Sequence, residues 1–74
     1  MCNIKTEDVP RVLREINLNL TIERDAQVRQ ECFILRDFLK RWQTKGKPSA
    51  YSLIYNKYKM TQSEIDKMIN RLNK

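Results

Sequence analysis

IERDAQVRQECFILRDFLKRWQTK, residues 22–45, contains neither Gly nor Pro. Its apolar positions Val28, Cys32, Leu35, Leu39 and Trp42 recur at alternating steps of four and three, the seam of a helix that packs against other helices. Phe33, Ile34 and Phe38 widen that seam. Glu23 and Asp25 crowd the start, and Lys40, Arg41 and Lys45 the end, so the charges complement the helix dipole at both termini. With Thr21 as the cap, the spacing predicts one long helix over 22–45. A helix apolar on two sides is either central to a bundle or part of a contact with a second molecule. The central position is the reading preferred here. The other would make Val28, Leu35, Phe38, Leu39 and Trp42 the interface of a homodimer or of a complex with a partner protein.

Working outward, a first helix is expected over about 7–18. Thr6 or Asp8 can cap it, Glu7 and Asp8 suit its positive end, and Pro10 falls in the first turn, where no intrahelical N–H is needed. Val9, Val12, Leu13, Ile16 and Leu20 share one side, while Asn17 and Asn19 weaken its end. Gly46 stops the long helix. Pro48 and Ser49 open a third, over 49–58, with Tyr51, Ile54, Tyr55 and Tyr58 on one side. The three tyrosines read as half-buried residues with hydroxyls reaching water, or alternatively as a surface on which nucleic-acid bases stack. Thr61 and Glu64 form a capping box, with Met60 and Ile65 placed as a hydrophobic staple. They start a fourth helix over 62–73, with Ile65, Met68, Ile69 and Leu72 turned inward. The expectation is an all-α fold, a small bundle of four helices within a single domain. In 74 residues there is room for no more than one.

The net charge of +6 is unevenly placed. Residues 40–60 hold no acid and six bases, Lys40, Arg41, Lys45, Lys47, Lys57 and Lys59. Such a stretch inside a folded domain fits a polyanion partner, or a solvated face that maintains solubility. The chain has no His and two Cys, Cys2 and Cys32. That set is too small for a structural zinc site, and catalysis would have to rest on carboxylates, lysines or a thiolate. The carboxylates fall where capping and dipole roles explain them, and Cys32 lies in the apolar seam. No phosphate-cradling Gly loop is present. The expectation is a protein that is not an enzyme and uses no metal or cofactor. Without a long apolar run or a signal peptide's apolar centre, it is read as cytoplasmic with reduced thiols.

The stretch Leu53 to Leu72 carries a more particular pattern: an aromatic-ended short helix, a tight turn, an apolar residue, a Thr cap, then a helix with inward aliphatics. Tyr58, Lys59, Met60, Thr61, Ile65 and Met68 occupy these places in order. The pattern resembles the helix-turn-helix of bacterial and phage DNA-binding proteins. Lys59 stands where that family usually has Gly, and Tyr55 where it has a small residue. The resemblance implies a duplex-DNA partner and a transcriptional regulator of phage or mobile-element type. Gln62, Ser63, Lys67, Asn70 and Arg71 would read bases, and Lys45, Lys47, Lys57 and Lys59 would contact phosphates. Asp66 runs against it, because an acid on a reading face repels phosphate. Without a wing, such a protein would need a dimer for useful affinity, with the long helix as the natural contact. The alternative is a helical adaptor or inhibitor that grips a host or partner protein through Phe33, Phe38 and Trp42, its basic stretch meeting an acidic patch.

Overall fold

The computed structural model describes residues 5–72, the last of these by its backbone alone. Cys2 and the inward placement expected of Leu72 lie outside the described residues. A 3-10 turn, Thr6–Asp8, leads into four helices: α1 Val9–Ile22, α2 Ala26–Lys45, α3 Lys47–Tyr58 and α4 Gln62–Leu72. No strand occurs among the described residues. The all-α bundle expected from the periodicity is the observed fold.

Four boundaries differ from those the sequence suggested: α1 starts at Val9 and ends at Ile22, α2 starts at Ala26 and α3 at Lys47. The first helix runs on through Asn17, Asn19 and Thr21 to Ile22. Thr21 is therefore not a cap: its hydroxyl donates 2.6 Å to the Leu18 carbonyl, the local bonding that lets a Thr sit inside a helix. The cap of α2 is Asp25, whose carboxylate accepts from the backbone N–H groups of Gln27 and Val28 at 2.9 and 3.4 Å. At the other end of the chain's order, Asp8 precedes α1 without a side-chain capping bond, and Pro10 lies in the first turn as expected. Gly46 does separate α2 from α3, with φ 94° and ψ 157°, a conformation that favours a residue without Cβ. Pro48 follows in the first turn of α3, which starts at Lys47.

The α2 seam is filled by the rest of the chain. Phe38, Leu39, Ile16, Ile54, Ile65, Ile69 and Val9 are fully buried, drawing on all four helices. Trp42 and Tyr51 pack on Phe38, with ring centroids at 5.9 and 4.9 Å. α1 and α3 lie along α2, and α4 closes the bundle against α2 and α3. Burying a side chain such as Phe38 stabilises by about 1.5–3 kcal/mol relative to exposure, and the shared core is what holds these short helices in place.

Candidate nucleic-acid interface

The α3–α4 corner is built from three residues, Lys59, Met60 and Thr61. Lys59 adopts the left-handed conformation, φ 58° and ψ 34°, and its N–H bonds to the Tyr55 carbonyl at 2.8 Å. This is where the helix-turn-helix family usually places Gly, and a side chain there carries a strain that Gly would not. The capping box forms as expected. Thr61 N–H donates to Glu64 Oε1 at 3.1 Å, and Glu64 N–H donates to Thr61 Oγ1 at 3.3 Å. Met60 packs against the core and Ile65 is fully buried, as a staple requires. Tyr55 is 51% exposed, so its bulk is turned largely to solvent.

Gln62, Ser63 and Lys67 are exposed on α4, while Asn70 is half-buried. Arg71 is exposed but engaged, donating at 2.9 Å to Glu31 of α2. Asp66, the acid that counted against a reading face, accepts a hydrogen bond from the Tyr51 hydroxyl of α3. Tyr51 and Tyr58 thus place their hydroxyls on carboxylates, not in water, and only Tyr55 keeps an open ring.

The four lysines assigned to phosphates are not equivalent. Lys45 and Lys59 are exposed at opposite ends of α3, roughly 20 Å apart by helical rise. Lys47 is half-buried, its ammonium 4.8 Å from the Trp42 ring centroid and 5.9 Å from that of Tyr51. Lys57 bonds at 3.0 Å to Asp37, which also accepts from Arg41 Nε at 2.9 Å and the Tyr58 hydroxyl at 3.0 Å. Partial burial by itself pushes the Asp37 carboxyl upward. The hydrogen bonds from Lys57, Tyr58 and Arg41 outweigh it and hold the group below its ordinary range. The bond to Asp37 first, and Tyr58 second, raise Lys57. Asp37 therefore draws two cations, Arg41 and Lys57, out of the basic stretch.

The contact surface considered on α2 requires a correction. Leu35, Phe38, Leu39 and Trp42 are buried within this chain, so they form its core and are closed to a dimer or partner. The physical reason is that α1, α3 and α4 together cover the seam from Cys32 to Trp42. Of the five residues, only Val28 stays open, at 40% exposure. With them goes the basis for a dimer through the long helix. Cys32 is buried too, and burial, helped by Glu23 and Glu31 against Arg29, pushes its thiol up and away from the reactive thiolate form. No helix among the described residues is long and apolar enough to cross a membrane.

No protein-family model matches the chain, and neither any curated protein nor any solved structure is significantly similar to it.

Proposed function

We propose that the chain binds duplex DNA through the α3–α4 corner, as a binding protein and not a catalyst. The observation that carries this reading is the corner itself. A left-handed residue and a capped helix start leave the first turns of α4 bonded to themselves, with Gln62, Ser63 and Lys67 free to solvent on that helix. A helix projected in this way offers polar side chains to base edges in a major groove. Asp66 accepts from the neutral Tyr51 hydroxyl, which ties its carboxylate to α3 and leaves its charge in place. Gln62 suits adenine, Lys67 suits guanine, and Ser63 bonds to either. Lys45 and Lys59 would take phosphates, with Lys47 able to join by swinging off Trp42. Arg71 and Lys57 would contribute only by leaving Glu31 and Asp37.

The test is fluorescence anisotropy of a labelled random-sequence duplex, titrated at several salt concentrations. Binding should weaken steeply with salt, and Lys59→Glu/Lys67→Glu should lower affinity at least about tenfold. Arg14→Glu/Arg24→Glu, which changes the net charge equally at exposed positions on α1 and the α1–α2 link, should cost far less. Absence of binding at low salt, or equal losses in the two charge reversals, would overturn the proposal.

A further inference from the structure

The long helix has a second row beside its buried seam. Arg29, Phe33, Arg36 and Lys40 follow at steps of four, three and four, each one residue on from Val28, Cys32, Leu35 and Leu39. From Phe33 onward the shift by one residue, about 100° of helical turn, moves this row from the buried seam toward the surface. Phe33 is 41% exposed and Lys40 is exposed, with Arg29 and Arg36 half-buried. The guanidinium of Arg36 lies 5.0 Å from the Phe33 ring centroid and that of Arg29 5.9 Å. Phe33, Arg36 and Lys40 line a shallow cleft of about 190 Å³, closed on the α3 side by Lys57 and Tyr58. The acid at its edge, Asp37, is already committed to Arg41, Lys57 and Tyr58. The positive charge of the row is thus left uncompensated by that carboxylate.

We infer that this row is a docking surface for an acidic amphipathic helix of a partner protein. Three features fix the occupant. The heptad-like spacing matches the side-chain repeat of a second helix laid alongside α2. The cations flanking Phe33 call for carboxylates around one apolar anchor, a complementarity that sets both attraction and register. The guanidinium groups of Arg29 and Arg36 are held by neutral acceptors, the Leu20 and Glu23 carbonyls and the Asn17 amide oxygen, which fix their place and leave their charge to a partner's carboxylates. The surface is distinct from the α3–α4 corner: α4 meets α2 at Glu31 through Arg71, and Phe33, Arg36 and Lys40 stand roughly 140–200° around the helix from Glu31.

The probe is a labelled synthetic helical peptide carrying Glu on one face at heptad spacing around a central Leu, with a Lys-for-Glu version as its control. In low-salt anisotropy the acidic peptide should bind and the Lys version should not. Arg36→Glu/Lys40→Glu should weaken the acidic peptide at least about tenfold, and Phe33→Ser several-fold. Circular dichroism of each variant should match that of the parent chain, since Phe33 and Lys40 are exposed and half-buried Arg36 gives up one bond, at 3.2 Å to Asn17. Lys59→Glu/Lys67→Glu should retain peptide binding, which separates this surface from the proposed DNA face. No binding of the acidic peptide, equal binding by the variants, or a loss of duplex-DNA affinity in Arg36→Glu/Lys40→Glu would each overturn the inference.

Discussion

Residues 23–25 join α1 to α2 and residues 59–61 join α3 to α4, two corners of equal length and different construction. In the first, Asp25 caps α2, and the Arg29 guanidinium reaches back from α2 to the carbonyls of Leu20 and Glu23, the latter at 3.1 Å. No residue of that corner has positive φ. In the second, the bonds run between neighbours in sequence, Thr61 with Glu64 and Lys59 with Tyr55, and Lys59 is held left-handed. One corner is tied across by a charged side chain. The other is closed by its own backbone and cap, and its strain is tolerated because Met60 and Ile65 anchor it in the core. The polar groups of α4 beyond that cap are consequently not consumed in holding the corner, which is why the proposed binding role is placed there and not at residues 23–25.

The largest expected effect tests the cross-tie. Arg29→Ala leaves the last carbonyls of α1 without their charged donor and should destabilise by about 2 kcal/mol, a fall in Tm on the order of 10 °C. A thermal melt showing less than a 2–3 °C change, by the same rough scale, would make the two corners alike. Thr61→Ala removes one half of the capping box and should cost about 1 kcal/mol, read by urea denaturation. A null result there would mean that the staple alone sets the corner. Lys59→Gly runs the other way. It relieves the left-handed side chain, partly offset by greater freedom in the unfolded chain, for a gain of roughly 0.5 kcal/mol. A loss of stability on Lys59→Gly would show that the lysine side chain supports the turn.

The smallest effect concerns the acid knot beside α3. Asp37 is depressed in the folded chain, so its contribution is present above the ordinary carboxylate pKa and lost as pH falls through the lower folded value. Stability of the parent chain relative to Asp37→Asn should therefore shrink below about pH 4, measured by denaturant melts from pH 6 to pH 2.5. A constant difference over that range would place the stabilisation in packing and not in the Lys57, Tyr58 and Arg41 bonds.

Most of the fold was legible because its signals are local and periodic. The seam on α2, the stop at Gly46, the Thr61–Glu64 box and the inward set Ile65, Met68 and Ile69 depend on residues three or four apart. The α1–α2 boundary was not legible, because Thr21 and Asp25 are both good caps in isolation. The choice between them rests on Arg29, whose reach to Leu20 and Glu23 exists only once the helices are packed. The lysines were misjudged as a uniform group for a similar reason: the partner of Lys57 is Asp37, twenty positions away in the chain, and the ring beneath Lys47 is Trp42.

By itself the sequence determined that this chain is helical, where its apolar stripes run, and that its last helix begins at a Thr61 cap, since each follows from side-chain spacing and backbone capping within a turn or two. Only the tertiary structure decided which stripe of α2 is core and which is surface, and which charges are spent on one another. Those outcomes depend on which helices cover α2 and on which distant side chains they bring within hydrogen-bonding reach, and no local pattern encodes that.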